Sequence, residues 1–440
     1  MIWAVYNLVF PVVFTLMLPK FIVRMVRRGG YGSHFEQRLG HFGRNTKARL
    51  RETRRIWVHA VSVGEIFVAL RLIRAWRAAN PDLRFALSTT TSTGHRIARK
   101  HLDERDVLFY FPVDLPPIVA KVLRIVNPLH LVLVEGELWP NLVRQADRRG
   151  VPVSLVNGRM SDKSFRGYRL LRPLTADVLR RIDPLCVQGE TDAERLRELG
   201  APPDNIHVVG TAKFDVVERD PDAERQARDI LRRAGVPADA LVLLGGSTWP
   251  GEEEILCSLY RRLRSRFPRL FLVLAPRHVE RAPEVIRCLE KHGLRWLRRS
   301  AVGEEPPAEP PEVLFLDTTG ELARFYAAAN IAFVGKSLTA KGGQNPIEPA
   351  IYGKPILVGP HMENFPAVMP RFLEREAILQ VNDAAELEAA VERLLSDEAF
   401  RRELGRRAAE VVEANRGAVE RTVRLLEAVR ERSAVPGAAG

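Results

Sequence analysis

The feature that most constrains this chain is a rhythm in which short apolar runs alternate with charged amphipathic stretches, break off, and begin again. The runs RIWVHAV (55–61), RFALSTT (84–90), DVLFYFP (106–112), LHLVLVE (129–135), VPVSLVN (151–157) and PLCVQG (184–189) read as buried parallel strands. Between them, GEIFVALRLIRAWRAA (64–79) and TDAERLRELG (191–200) read as helices, the second closed by a glycine cap. Alternation of this kind predicts a doubly wound parallel sheet. A second strand set comes after the break: ALVLLGG (240–246), RLFLVLA (269–275), VLFLDT (313–318), IAFVGK (331–336) and PILVGP (355–360). With 440 residues, two domains of about 200 each is the natural division. The expected fold is α/β, with two Rossmann-like doubly wound domains facing a central cleft. The expected boundaries are an anchor at 1–19, a first domain at 20–215, a linker at 216–235 and a second domain at 236–396. A C-terminal helix and tail at 397–440 complete the chain, the helix running unbroken from about Asp397 to Ser433.

Charge is unevenly distributed between the two halves. Residues 1–215 hold 34 Lys+Arg against 20 Asp+Glu, and residues 216–440 hold 33 against 34. Nine basic residues fall between Lys20 and Arg51, with Glu36 the single acid among them. Nucleic acid is not the expected partner, because no basic stretch is interleaved with aromatics. An anionic membrane surface or a phosphorylated lipid suits the charge better, given the uncharged segment IWAVYNLVFPVVFTLMLP that precedes it. As a helix that segment would reach roughly 27 Å, near the ~30 Å of a hydrocarbon core. Positive charge comes after it rather than before it, which argues against a cleaved signal peptide and puts the bulk of the chain on the cytoplasmic side. A spanning anchor and a shallow surface helix both remain open. The three cysteines, Cys186, Cys257 and Cys288, are far apart and show no metal spacing, so they read as reduced core residues. No His or Cys cluster suggests zinc, and neither a metal nor a cofactor is expected.

Several motifs could hold a ligand. In GGQNPIEPAIYGKPILVGP (342–360), two glycines allow close backbone approach, Pro346 suits the first turn of a helix, and Glu348 sits at its positive end. A helix start can take a phosphate while a carboxylate one turn in accepts ribose hydroxyls. LLGGSTWPGEEEI (243–255) offers a second strand-to-helix turn with Ser247, and Arg277 of APRH ends a strand where a guanidinium could meet a phosphate. In the first half, EGELWPN (135–141) is expected to set Glu135 and Glu137 on one strand face at a carboxyl end, where open α/β sheets bind ligands. Asp220 and Asp222 form a D-x-D pair, but ahead of a helix they read as capping residues.

Taken in order, HAVSVGE (59–65), TTTSTG (89–94), FPVDLP (111–116), EGELWPN (135–141), GRMSDKSFRGY (158–168), GSTWPGEEE (246–254), APRH (275–278), DTTGEL (317–322), GGQNPIEP (342–349) and GPHMENF (360–366) resemble the 3-deoxy-D-manno-octulosonic acid (Kdo) transferases of Gram-negative bacteria. The resemblance covers nearly the whole chain. It implies a GT-B inverting glycosyltransferase moving Kdo from CMP-Kdo to a lipid A precursor during lipopolysaccharide synthesis, on the cytoplasmic face of the inner membrane. It further implies that Glu36 is the base that deprotonates the acceptor hydroxyl. By the same resemblance, CMP meets Ser247, Arg277, Gly320, Asn345 and Glu348. The sugar acid or acceptor would meet groups near Glu135 and Glu137, with Arg159 or Lys163 facing its carboxylate and Lys213 close by. Three positions depart from the family pattern: Trp249 where His is frequent, Thr211 in GTAKFD where Asn is usual, and Gly136 where Thr is commoner. Two rivals share many of these features, namely another GT-B enzyme using a UDP-sugar and a non-catalytic membrane-associated nucleotide-binding protein.

Overall fold

The computed structural model of the protein describes residues 2–28 and 34–434. The stretch 29–33, the tail 435–440 and the basic side chains expected at Lys20, Arg24, Arg27 and Arg28 lie outside that description. The chain divides into two compact units, one of residues 1–216 with 416–440 and one of residues 217–415.

The first unit is a seven-stranded parallel sheet. Its strands are β1 (Ile56–Ala60), β2 (Phe85–Thr89), β3 (Val107–Tyr110), β4 (His130–Val134), β5 (Val153–Gly158), β6 (Leu185–Val187) and β7 (Ile206–Val208). They run in the order β3-β2-β1-β4-β5-β6-β7. Its central strands are buried throughout, as a sheet covered by helices on both faces requires. The helix Val63–Ala79 starts in a capping box: Ser62 Oγ accepts from Glu65 N at 3.3 Å, and Glu65 Oε1 accepts from Ser62 N at 3.2 Å. Its apolar face, with Ile66, Ile73 and Trp76, packs on one side of the sheet beside Val419, Val423 and Leu426 from the end of the chain.

That last contact revises the sequence expectation of one long C-terminal helix. The helix Glu398–Asn415 stops, Gly417 takes a left-handed turn (φ 90°), and a separate helix, Ala418–Ala434, returns to the first unit. Asp215 fixes the return, with Oδ1 accepting from Gly417 N at 2.7 Å and Oδ2 from Val419 N at 2.8 Å.

The second unit repeats the plan. Its strands are β8 (Leu241–Thr248), β9 (Leu270–Pro276), β10 (Trp296–Arg298), β11 (Val313–Phe315), β12 (Ile331–Val334), β13 (Ile356–Val358) and β14 (Leu379–Gln380). All are parallel, in the order β10-β11-β9-β8-β12-β13-β14. The stretch 216–235, expected as a linker, contains the helix Ala223–Arg233, whose Ala227, Ile230 and Leu231 belong to this unit's core. Strand order reverses between β1 and β4 in the first sheet and between β8 and β12 in the second. Loops leaving the carboxyl ends of such neighbours open a crevice at the strand tips.

The N-terminal helix, Ile2–Arg28, rests on the first unit through polar contacts. Trp3 Nε1 donates to Asp177 at 2.9 Å, the Tyr6 hydroxyl donates to Asp114 at 2.9 Å, and Asn141 Nδ2 donates to Asn7 Oδ1 at 2.9 Å. Val5, Leu8, Val9, Val12 and Leu16 are left exposed. Among the described residues, no helix is long and apolar enough to cross a membrane.

Candidate functional site

Left-handed backbone at non-glycine residues falls at several of the strand ends where the sequence places candidate site residues. Of the non-glycine residues with positive φ, Glu135 (66°) and Asn157 (52°) stand at the ends of β4 and β5. Ser247 (52°) and Lys336 (56°) stand at the ends of β8 and β12, and His34 (65°) precedes the turn that holds Glu36. Such conformations cost of order 1–3 kcal/mol each and persist where surrounding structure enforces them.

Glu36 lies in the 3-10 turn Phe35–Leu39. The two residues after it anchor that turn. Gln37 Oε1 accepts from Tyr110 N at 2.9 Å, at the end of β3, and Arg38 donates to Thr90 O at 2.5 Å, just past β2. The Arg38 guanidinium also lies over the Tyr110 ring at 4.7 Å. Glu36 itself stays exposed, with His34 Nδ1 at 3.6 Å. A carboxylate on a turn fixed at both succeeding residues is presented to solvent at the carboxyl rim of the sheet.

At the β1–β4 crevice, the expectation that Glu135 and Glu137 share a strand face does not hold. Strand alternation ends with Val134, and the left-handed backbone at Glu135 turns Gly136 and Glu137 out of the strand's alternation. Gly136 is pressed against the next loop, where a Cβ would lie 2.6 Å from the Arg159 carbonyl oxygen, so this chain's departure to glycine suits the close approach. Glu135 Oε1 accepts from Asn157 Nδ2 at 3.4 Å. Burial pushes the Glu135 carboxyl up, the Glu65 charge adds to that, and the charges of Lys213 and Arg159 oppose it. Lys213 is pulled down by burial, with Glu135 opposing. Glu137 is pushed up to about 7, by burial first and then by Glu65. Its buried Oε2 has no hydrogen-bond partner among the described residues. The structure therefore brings Glu135, Arg159 and Lys213 together electrostatically. Lys163 it does not: that residue is exposed on the helix Asp162–Leu170, which buries no side chain.

In the second unit, all five positions proposed for the donor lie on or beyond the carboxyl ends of strands in one sheet. Ser247 is on β8, Arg277 follows β9, Gly320 follows β11, and Asn345 and Glu348 follow β12. Gly335 lets the loops of β8 and β12 touch, since a Cβ there would sit 2.6 Å from Ser247 O. Glu252, fully buried, staples the two loops. Its Oε2 accepts from Trp249 N and Lys336 N, each at 2.8 Å, and its Oε1 accepts from Ser337 N and Leu338 N, each at 3.0 Å. Burial raises this carboxyl and the four N–H groups oppose the rise. Beside it, Glu253 accepts from Thr248 Oγ1 at 2.7 Å and from Arg281 at 2.8 Å. Trp249, the departure from His, packs edge-on to His278 with ring centroids 5.3 Å apart, and Lys336 lies over its ring at 5.0 Å.

Glu348 is raised by burial; a hydrogen bond from Asn345 Nδ2 at 3.2 Å and the charge of Arg277 both oppose this. Arg277 is exposed and makes no hydrogen bond through its side chain among the described residues. Gly320 is exposed with a left-handed backbone (φ 87°) and open space around it. Together these groups can bracket a phosphate with a free guanidinium and a ribose with a carboxylate.

Two further groups differ from the sequence expectation. Asp222 does not cap the succeeding helix through its side chain: Asp220 Oδ1 accepts from Asp222 N at 2.9 Å, and Asp222 Oδ1 accepts from Arg225 at 3.0 Å. The expectation of no metal-ligand cluster is also corrected, because Glu254, Cys288 and His292 place one ligand atom each within 4.8 Å of one another. Sequence reasoning gives no role to Glu65 and takes Glu252 only as part of a helix opening. The S-x-x-E spacing at Ser62 and the acid two residues past Pro250 are the available signals.

Two doubly wound parallel sheets in succession are the plan of GT-B-like folds. Solved structures agree on the fold. UDP-GlcNAc 2-epimerase from Neisseria meningitidis is similar with a TM-score of 0.58 at 13% identity, covering 86% of this chain and 100% of that one. A glycosyltransferase from Rickettsia africae gives 0.57 at 10% identity, covering 88% and 100%. Sequence relatives narrow the class. The 3-deoxy-D-manno-octulosonic acid transferase of Haemophilus influenzae is 33% identical over 93% of this chain and 94% of that one. Its Bordetella pertussis counterpart is 34% identical over 92% and 94%. The family model described as 3-Deoxy-D-manno-octulosonic-acid transferase (kdotransferase) matches residues 33–216. The chain belongs to the Kdo transferase family and is a glycosyltransferase.

Proposed function

We propose that this enzyme transfers Kdo from CMP-Kdo to a lipid A precursor, with inversion, and that Glu36 is the general base. The observation that carries the role of Glu36 is its mounting: Gln37 and Arg38 are tied to the sheet while the carboxylate between them and His34 stays open. A base must reach the hydroxyl it deprotonates, and an exposed acid on a fixed turn meets that need. CMP is assigned to the second unit, with Glu348 on the ribose, Asn345 orienting Glu348, and Ser247, Gly320 and Arg277 toward the phosphate. Arg277 then stabilises negative charge as the phosphate departs. The carboxylate of the sugar acid is assigned to Arg159 and Lys213, whose charges act on the Glu135 carboxyl at the same crevice. Transfer itself is assigned no metal, a reading supported by the engagement of Asp220 and Asp222 with their own helix start.

The same reading puts the enzyme on the cytoplasmic face of the inner membrane. Polar docking of Trp3, Tyr6 and Asn7, with Val5, Leu8, Val9, Val12 and Leu16 facing out, supports a helix lying on the bilayer surface rather than crossing it. Deleting residues 1–19 should release the protein from anionic vesicles while CMP binding persists; a truncated protein still bound in high salt would place the anchor elsewhere. Mass spectrometry of a lipid A precursor after incubation with the protein, CMP-Kdo and EDTA tests the activity. An unchanged acceptor mass, with or without added divalent ions, would overturn the assignment.

A further inference from the structure

Behind the β8–β12 loops, the second unit gathers a carboxylate, a thiol and an imidazole between two helices. Glu254 sits in the first turn of the helix Glu252–Leu263. Cys288 and His292 close the helix Ala282–Lys291, four residues apart, so that both side chains occupy one face. Glu254 Oε2 is 3.4 Å from Cys288 Sγ, and Glu254 Oε1 is 3.0 Å from His292 Nε2. Around a tetrahedral zinc ion, neighbouring sulfur, nitrogen and oxygen ligands stand about 3.3–3.6 Å apart, as bond lengths near 2.0–2.3 Å require. The two Glu254 oxygens thus stand near coordination spacing from the sulfur and the ring nitrogen, and one ligand atom from each of the three residues lies within 4.8 Å of the others. His292 Nε2 is buried and, among the described residues, finds no well-aimed hydrogen bond despite the carboxylate beside it. Its side chain is only 12% exposed, so water does not readily serve it. Cys257, one turn along from Glu254 and fully buried, lies beside Cys288 at the back of the cluster. In the structure the positive charge at this point is Lys291, whose Nζ is 2.7 Å from Glu254 Oε1 on a side chain 70% exposed. An exposed lysine can swing out when a better cation arrives.

We propose that Glu254, Cys288 and His292 form a binding site for a zinc-like divalent transition metal, with Lys291 its built-in competitor. The Cys288 thiol loses its proton to solvent as the metal–sulfur bond forms, and no redox change occurs. The ion clips the first turn of the helix after the Ser247–Gly251 loop to the neighbouring helix. It takes no part in sugar transfer.

The test uses the full chain under a non-thiol reductant, titrated with Co2+ as a spectroscopic stand-in and then with competing Zn2+. One ion per chain is expected, with a thiolate-to-cobalt charge-transfer band that Zn2+ abolishes. Cys288→Ser should remove that band, and His292→Gln should weaken binding at least tenfold, by roughly the 10–100-fold that disturbing a metal site costs. Lys291→Gln should tighten binding, because the competing charge is gone; a purely structural ion-pair cluster has no reason to respond in that direction. Cys186→Ser, in the first unit, serves as the control and should bind like the parent. The proposal is overturned if bound cobalt shows no sulfur band, if Cys288→Ser binds as tightly as the parent, or if Lys291→Gln binds more weakly. Melting curves of each variant without metal separate lost binding from lost folding.

Discussion

At the β8–β12 crevice, Glu252 takes four backbone N–H groups and Glu253 holds both Thr248 and Arg281. At the β1–β4 crevice, Glu137 keeps a buried oxygen without a partner among the described residues, and Glu65 adds like charge to Glu135 and Glu137. Both crevices sit at a strand reversal with strained residues on either side, yet one is satisfied internally and the other is not. A satisfied crevice holds its loops in one geometry before any ligand comes, which suits a nucleotide that is the same in every cycle. The unpartnered Glu137 oxygen keeps its hydrogen-bonding capacity for something polar arriving from outside, as a hydroxyl-rich sugar acid would be.

The largest expected effect tests the rim of the first sheet. Glu36→Gln keeps shape but removes the base, and turnover should fall roughly 10²–10⁴-fold while CMP affinity and melting temperature hardly move. Near-parental turnover would return Glu36 to the surface and make Glu135 and Glu137 the candidates. Next comes the staple of the second sheet. Glu252→Gln turns one acceptor oxygen into a donor facing backbone N–H groups, and should cost about 2–4 kcal/mol of stability. Calorimetry should show the loss together with weaker CMP binding; a variant that melts like the parent would mean the loops hold without their staple.

Glu348→Ala should weaken CMP by roughly 1–3 kcal/mol in titration calorimetry, the scale of charge-assisted hydrogen bonds. Arg277→Ala should instead lower turnover more than binding, since its part falls on the departing phosphate. Equal CMP affinity in the parent and both variants would move the nucleotide out of the second unit. The smallest effect concerns Glu137, pushed up to about 7 in the folded protein. An unfolded glutamate titrates near about 4.3, so between those values the folded chain retains the proton longer and stability falls as pH rises. Glu137→Gln should therefore be more stable than the parent by roughly 1–2 kcal/mol near pH 8, the full shift being discounted for partial solvent access. That advantage should vanish near pH 4, as urea unfolding at the two pH values would reveal. A constant difference would show that Glu137 does not titrate in this window.

Much of this is legible in the sequence because apolar runs report burial directly. The eleven runs that read as strands all correspond to strands of the two sheets. The short strands β7, β10 and β14 escape that reading, being two or three residues long and only partly buried. The strand reading of Glu135 fails at a left-handed residue, a property of the folded backbone that an acid's side chain does not advertise. Glu252 and Glu254 differ by two positions in a run of three glutamates. Only the loops and helices packed around each distinguish a buried staple from a metal-ligand candidate. Cys288 and His292 carry a helical spacing visible in the sequence, but Glu254 lies 34 residues away from Cys288, at a separation only packing closes.

The return of the helix Ala418–Ala434 to the first unit has a consequence for how the protein is made. Val419, Val423 and Leu426 complete a core whose other members are synthesised more than two hundred residues earlier. At ribosomal rates of about 5–20 residues per second, the first unit waits roughly 10–40 s for its final helix. The second unit is continuous in sequence and can close as soon as it emerges. Nascent chains should therefore acquire the later half's protease resistance first, with the earlier half protected only after the last helix is released and Asp215 receives the two N–H groups it caps.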